Sequence, residues 1–561
     1  MKKKLQSIKQ RIAAYKTRRE LQRSRQEKGS TLKRLVAVFN RYMIVCLCFI
    51  LVYLFLLYLL VQVEKNAPGA TIYNMGHAIW YSLATLTTVG YGDFYPVTPA
   101  GRVIASVFLI LGIGLLGFFV GFMVEFFARI RPAVILSVNA GKPWYIFTAR
   151  SPHAMIFAEN LKAVRHDAMI IYAGTKDDDK SSKFISVSWS VEELIERRGS
   201  LYDAHIMCMK DNEMENFLDA VALSDIAVPI ICLADFTPAH HPMNINFFSL
   251  TDCTARIFWQ QYPISHRSET ILLIGFGNAG SVMLDRALEL NVLFEGQNIR
   301  YHVFGESSEY RRNRKLLSDI VSVNEIVDDR DCIIFHEDLW NTDEELLAQA
   351  DRIVLCADVE HENIEILHTI QKFFTIKGSI YIYNSNVRSV ATPFGQTRDV
   401  LTPAFVLHNC LSDMALCRHE LFRFMFGGEI PMWEDLNSLI KDMNYVTTDH
   451  ISVKVRMLLG DDAPNRPFDE IPPEILRRAA AVFDSMSEEE KDKLRRIEHD
   501  RNIRFYKLHN FRYGEELDDE QRINPLIRPF DELDERGKAL TDTSWALISE
   551  LASHKEAKRR R

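Results

Sequence analysis

The nine cysteines include no C-x-x-C pair, and the histidines show no paired metal spacing, so neither a zinc site nor a disulfide framework is expected. A reducing cytosol suits most of the chain. Charge of either sign is in little excess: 25% of residues are charged and the net charge is -7, which is ordinary and says little about partners; no nucleic-acid partner is expected. A cleavable secretory leader is not expected. Met1-Lys2-Lys3-Lys4 imitates its positive start, but the first apolar stretch begins only near Leu35 and is too long for one.

At 561 residues the chain is several times the usual domain size and reads as a string of modules. Its first 35 residues are dense in Lys and Arg, among them Arg11, Arg18, Arg19, Lys33 and Arg34. Acidic runs such as Asp177-Asp178-Asp179 and Glu488-Glu489-Glu490 come later. Two long apolar runs follow the basic segment, Val36 to Val63 and Arg102 to Phe127. A bilayer core needs about 20 apolar residues as helix, so both are expected to span a membrane. Basic residues precede the first run, and Arg129 and Arg131 follow the second, which places both termini in the cytoplasm.

Between the runs, an amphipathic stretch from Tyr73 to Leu86 leads into Thr87-Thr88-Val89-Gly90-Tyr91-Gly92-Asp93. Stripping water from a cation takes a column of oxygens at matched spacing, which backbone carbonyls can supply. Gly90 and Gly92 permit the backbone angles that such a column needs, and the Thr88 hydroxyl can add an oxygen. Tyr91 is expected to brace it from behind. Irregular backbone at membrane depth must be buried in protein or line water, so one copy cannot suffice and four around an axis would.

Trp80, the stretch from Thr88 to Asp93, and Leu111-Gly112-Ile113-Gly114 resemble the pattern of two-span potassium channels. The resemblance covers about Val36 to Arg131 and implies a homotetramer in the cytoplasmic (inner) membrane. Potassium would be held by the carbonyls of Thr88, Val89, Gly90 and Tyr91 and the hydroxyl of Thr88. Inner helices of such channels bend or splay to open, so Gly112 and Gly114 are hinge candidates, with Gly117 and Gly121 beside them; close helix packing is the alternative use of these small residues. No regularly spaced arginines precede the motif, which argues against the usual voltage sensor.

After Pro132 short apolar runs alternate with helical stretches, the pattern of a parallel sheet with crossover helices, and it occurs twice. In the second copy Thr270 to Ile274 reads as a strand, followed by Gly275-Phe276-Gly277-Asn278-Ala279-Gly280 and a helix from Ser281 to Leu290. That is the dinucleotide fingerprint, where backbone approaches a pyrophosphate at a helix N-terminus. Glu306 closes the next strand and could hold a ribose, although it lies further on than usual. The alternative is a glycine turn kept for strand-to-helix packing. In the first copy Thr148-Ala149-Arg150-Ser151-Pro152-His153 stands at the equivalent place without any of the three glycines, and a structural half is expected.

Two such halves behind a pore resemble the tandem domains that regulate potassium conductance, the RCK domains, from about Trp144 to Phe483. The resemblance implies a ring that a cytosolic ligand widens, with Asn139 to Lys142 in the linker that carries the pull. Ligands in that family include divalent cations and adenine nucleotides. An adenine nucleotide or NAD(H) is therefore expected at Gly275, Gly277, Gly280 and Glu306, and calcium stays open. Asp358, Glu360 and Glu362 read as solvated loop acids.

The expected organisation is a basic segment at 1–35, an α-helical membrane pore at 36–131, and Rossmann-like α/β halves at 142–265 and 268–410. A helical part at 411–485 follows, with helices at Leu411 to Phe426 and Trp433 to Leu459, and a separate, mostly α-helical module occupies 486–561. Glu498 to Asn502, Phe511-Arg512-Tyr513-Gly514 and Asn524 to Leu533 resemble the ryanodine-receptor repeat, with Phe511 and Asn524 departing from its pattern. The resemblance implies a second ligand site at Phe511, Arg512 and Tyr513, with Phe505 and Phe530 helping to sandwich a base; the other reading makes these rings the module's core. Docking of a partner protein is a further alternative for the module. A membrane-tethered nicotinamide enzyme would need a substrate pocket with a base, and no such constellation is present, so no enzyme activity is expected.

Overall fold

The computed structural model describes residues 31–175, 184–385, 387, 390–407, 409–426 and 430–560; the side chains of 31–46, 49, 108, 111, 112, 115, 116, 118, 122, 125–130, 409, 426 and 558–560 lie outside the description. The basic segment before residue 31, the acidic run at 177–179 and the surroundings of Gly112 fall outside it as well. The chain divides into two compact units, Met1–Gly141 and Lys142–Arg561, a division that falls within the expected linker.

Among its described residues the first unit has three helices, α1 (Thr31–Glu64), α2 (Met75–Leu86) and α3 (Pro99–Val138). Asn74 starts α2 by accepting the His77 N–H, and Thr98 starts α3 by accepting that of Gly101, with Pro99 in the first turn where its missing N–H costs nothing. Leu57, Leu60, Val61, Ile72 and Ala78 pack as the buried core. The expected change of pattern after Pro132 does not end α3, which runs through this proline to Val138. A proline removes one helical bond, and the helix keeps the bonds on either side. Among the described residues no helix is long and apolar enough to cross a membrane. Many side chains of the two expected spans lie outside the description.

In the second unit six parallel strands form one sheet: β1 (Trp144–Phe147), β2 (Met169–Tyr172), β3 (Ile185–Ser186), β4 (Ala204–Cys208), β5 (Ile230–Leu233) and β6 (Ile245–Phe248), in the order β3-β2-β1-β4-β5-β6. Helices α4 (Pro152–Val164), α5 (Val191–Arg198), α6 (Glu213–Leu223) and α7 (Leu250–Gln261) belong to this half. A seven-stranded sheet follows: β7 (Ser268–Phe276), β8 (Asn298–Gly305), β9 (Ser322–Val323), β10 (Cys332–His336), β11 (Arg352–Leu355), β12 (Ser379–Tyr383) and β13 (Thr392–Phe394). Its order is β13-β12-β11-β7-β8-β10-β9, all parallel, so it repeats the doubly wound arrangement with β9 added at one edge. In both sheets the first strand lies beside a crossover, and ligands of such sheets bind at the carboxyl ends of the strands there. Helix α8 (Asn278–Leu290) leaves β7 at that point, and α9 (Glu360–Phe373) follows β11 across the crossover from it.

The helical part holds α10 (Asn409–Phe426), α11 (Ser438–Asp449), α12 (Ile451–Leu459) and α13 (Pro473–Ser485), and the chain ends in α14 (Glu488–Leu508) and α15 (Glu535–Arg560). The single helix expected over Trp433 to Leu459 is thus broken. Leu436 is extended, Asn437 caps a new start at Ser438, and His450 separates α11 from α12. The capping box expected at Ser487 and Glu490 is present.

The separateness of the last module is corrected. Phe505 and Leu508 of α14 belong to the buried cluster beneath the second sheet, with Ile299, Tyr301 and Val303 of β8. Trp545, Ile548 and Leu551 of α15 share another with Leu411 of α10 and Leu476 of α13. The amphipathic signal of α14 is weak in sequence because one side buries apolar residues while another buries charges, among them Glu498 and Arg501.

Candidate functional site

After α2 the backbone turns into the left-handed region at every second residue: φ is 57° at Thr88, 57° at Gly90 and 72° at Gly92. Glycine enters that region without steric penalty, whereas the β-branched Thr88 carries strain there. The N–H groups of Val89 and Gly90 both return to the Ala84 carbonyl, at 2.9 and 3.0 Å, and that of Thr88 to Thr85. Among the described residues, no donor of the chain reaches the carbonyls of Thr88, Val89, Gly90 or Tyr91. Four successive acceptors are left without a donor from the described residues, and the alternating φ is what lets successive carbonyls share one task.

Tyr91 lies flat against Trp80, with ring centroids 5.8 Å apart and planes within 6°, and the Trp80 indole N–H donates to Asp93 at 2.8 Å. The segment is thereby tied to α2 at both ends. A second tie was not foreseen. Glu64, fully buried at the end of α1, accepts from the backbone N–H groups of Val97 and Thr98 at 2.9 Å each and from the Thr98 hydroxyl. One carboxylate thus binds the end of α1 to the start of α3, where the helix dipole also favours a negative charge. A Cβ on Gly101 would overlap this carboxylate, which explains the glycine. The available signal was an acid terminating an apolar run. Among the described residues nothing lies within 4 Å of a Cβ added at Gly114.

At the second sheet the three fingerprint glycines stand where expected, in the turn from β7 to α8. Gly275 has φ of 87°, and a Cβ there would sit 2.7 Å from Ala357. A Cβ on Gly277 would overlap the Asp358 carboxylate. Register explains Glu306: Phe276 pairs with Gly305, so Glu306 lies beside the turn despite its distance in sequence. It is exposed, its carboxylate accepts the Ser308 N–H at 2.9 Å, and hydrogen bonds from the Ser308 side chain first and its N–H second lower its pKa.

The acid expected to be a solvated loop residue has a specific place. The Asp358 carboxylate accepts the N–H groups of Asn278 at 2.9 Å and Ala279 at 2.7 Å, the two donors with which the helix start would greet a phosphate. Asp358 follows β11, the neighbour of β7 across the crossover, and that adjacency is invisible in sequence. Asp235, beyond β5 of the first half, accepts from the Asn278 side chain at 3.2 Å and holds the hydroxyls of Ser249 and Thr251. A pyrophosphate in the usual seat does not fit beside Asp358 as it stands. Glu360 and Glu362 are exposed in the first turn of α9, as expected of solvated acids.

In the first half Ser151 caps α4 and donates to the Met209 carbonyl, while the Arg150 guanidinium lies 5.9 Å from the centre of the Tyr172 ring. Both have structural employment. In the last module Phe505 and Phe511 are fully buried and Phe530 nearly so, which corrects the expected sandwich. Phe511 packs on Tyr506 in the core and cannot face a ligand. Tyr513 is exposed beneath the Arg528 guanidinium, 4.6 Å above its ring, and Arg512 bridges to Ile523 through backbone.

A buried charge network joins α14 to α11 and α12. Glu498 accepts from Lys454 at 3.1 Å, His450 at 3.2 Å and Arg501 at 3.0 Å, and Arg501 reaches Thr447. Burial pushes the Lys454 pKa down to about 8 and that of His450 down to about 4. Burial alone would raise Glu498, but Arg501 and Lys454 outweigh it and hold the carboxyl well below its usual range. Among the described residues no group of three or more His, Cys, Asp or Glu is placed to hold a metal ion.

Residues 43–129 match the family described as ion channel. A stretch of 73 residues is 45% identical to the calcium-gated potassium channel TvoK of Thermoplasma volcanium, covering 13% of this chain and 21% of that protein. Another of 68 residues is 38% identical to the voltage-gated potassium channel of Aeropyrum pernix, covering 12% and 23%. The chain thus spans about a fifth of the length of these relatives, and the resemblance to potassium channels read from the motif is shared by them. A solved structure of GsuK bound to ADP aligns with 66% of this chain and 99% of its own at a TM-score of 0.35 and 16% identity.

Proposed function

We propose that this chain is one subunit of a homotetrameric, potassium-selective channel of the cytoplasmic membrane, opened or closed by a cytosolic ligand that its tandem α/β halves hold. The segment Thr88 to Asp93 is the filter. The carrying observation is the row of four carbonyls without a donor among the described residues, set on a backbone whose φ alternates at Thr88, Gly90 and Gly92. Potassium replaces the missing donors, and three further copies complete the ring. Leu47, Leu51, Phe55, Val103, Ile110 and Ile113 are large apolar side chains exposed on α1 and α3, which suits helices covered by lipid or by neighbouring copies. Both termini lie in the cytoplasm. Gly112 and Gly114 are the points at which α3 bends on opening.

The ligand site is the crevice at the carboxyl ends of β7 and β8, with Glu306 taking a ribose and the turn from Gly275 to Gly280 beside it. An adenine nucleotide or NAD(H) is the ligand class, and calcium is the alternative to be tested beside it. The helical part and last module buttress the second sheet through α14 rather than sensing a base at Phe511. Ligand acts on the pore only so far as it prefers one state of the second unit; a shift from 1:99 to 99:1 takes about 5.5 kcal/mol, which four sites share at little more than 1 kcal/mol each.

The test is flux from liposomes holding the purified full chain. Potassium should pass and sodium should not, and ADP, NAD, NADH, ATP or calcium on the cytoplasmic side should change the rate. Equal sodium and potassium flux would overturn the filter assignment, and a selective pore indifferent to every ligand would overturn the sensing one.

A further inference from the structure

The start of α8 already holds an anion. Asp358 places its two carboxylate oxygens on the two N–H groups that a dinucleotide fingerprint offers to phosphate, one oxygen on Asn278 and the other on Ala279. The geometry is that of a bound anion, supplied by the chain itself from the strand end across the crossover. Three features make the contact more than a cap. Gly277 is needed because the carboxylate lies where its Cβ would stand, so turn and acid are fitted to one another. Asp358 remains exposed, so a solute can reach the place it occupies. Asp235 brings a second carboxylate to the side chain of Asn278, so any phosphate entering would meet two negative groups where the fingerprint ordinarily presents none.

We infer that Asp358 is a resident anion that competes with ligand phosphate for the start of α8, so that the crevice admits the nucleoside end of an adenine nucleotide and resists its phosphates until the acid swings away. This rests on the reading of the crevice at Glu306 as the ligand site. A tethered carboxylate is present at high effective concentration, whereas free phosphate must displace it and then lie beside it. The contact sets which adenine compounds gate the channel. Compounds without a phosphate bind without disturbing it, and those that bring phosphate to the start of α8 must break it. Displacement also frees the loop between β11 and α9, a movement that a nucleoside alone does not provoke.

The experiment compares adenosine and ADP binding to the full chain in detergent, by calorimetry, for the wild type and for Asp358→Asn and Asp358→Ala, with the melting temperature of each recording intact folding. The inference expects ADP to bind both variants about tenfold tighter than the wild type, with adenosine unchanged. ADP affinity that is unchanged or weaker in both folded variants, while adenosine still binds, overturns the inference and leaves the site standing. Adenosine and ADP binding that Glu306→Gln leaves unaltered, or no binding to any form, overturns the site itself and the inference with it. Should Asp358→Ala fail to fold, Asp358→Asn carries the comparison, because its amide oxygen still accepts one of the two N–H groups without the charge.

Discussion

The indole N–H of Trp80 reaches Asp93 at 2.8 Å while the same ring stacks on Tyr91, so one side chain of α2 holds the far end of the carbonyl row by two contacts. Replacing it by phenylalanine keeps the ring contact and deletes the donor. Trp80→Phe should lower the ratio of potassium to sodium flux in liposomes, and Asp93→Asn should do the same. The double variant should be little worse than either single one, because both remove one bond. Additive losses would show that the residues act separately.

Gly101 abuts the Glu64 carboxylate too closely for any Cβ. Gly101→Ala should therefore expel Glu64 from the N–H groups of Val97 and Thr98, at a cost of about 2–4 kcal/mol for leaving a buried charge without its donors. The melting temperature of the full chain should fall by several degrees. Glu64→Gln, which keeps one acceptor oxygen, should fall less.

At the second sheet, Gly277→Ala forces Asp358 off the start of α8. The loss of a charged cap costs about 1–2 kcal/mol, and the backbone angles demand nothing more, since Gly277 has φ of -124°. A lowered melting midpoint with an otherwise unchanged pore is the expected outcome, read from thermal unfolding beside potassium flux. Gly275→Ala should be worse, because φ there is 87° and the obstacle is the backbone of Ala357.

His450 is fully buried against Glu498, with Lys454 and Arg501 also facing that carboxylate, and its pKa stands near 4. The unfolded chain takes up a proton at its ordinary value of about 6.5 and the folded chain does not. Stability from this site should therefore be present above about pH 6.5 and be lost progressively as pH falls toward 4. His450→Asn, which retains a donor to Glu498, should flatten the slope of melting temperature against pH in that window. An unchanged slope would assign the acid sensitivity to other groups.

Much of this fold is legible in the residues themselves because its determinants are local. The run from Thr87 to Asp93, the Ser487 capping box and the alternation of short apolar strands with helices each depend on neighbours within a few positions. Both sheets and the strand before the fingerprint appear where the pattern puts them. The strands β9 and β13 were not legible, being two and three residues long and paired only because the sheet is already there. The buttress formed by α14 is not legible for another reason. Its buried face carries Glu498, Arg501 and Arg504, and charges read as solvent-facing until the acid and base that answer them, Lys454 and Asp331, are brought within 3.1 and 2.7 Å.

The sequence alone determined the alternating conformation after α2, since glycine at positions 90 and 92 is a property of single residues, and it determined the strand, turn and helix around Gly275. Tertiary structure alone decided that Glu64 joins α1 to α3, that Phe511 is core, and that Asp358 fills the start of α8. Glu64 finds its partners 33 and 34 positions away and Asp358 finds its own 80 and 79 positions away, brought near by helix packing and sheet order. No local preference encodes a contact whose energy appears only when both elements have been placed.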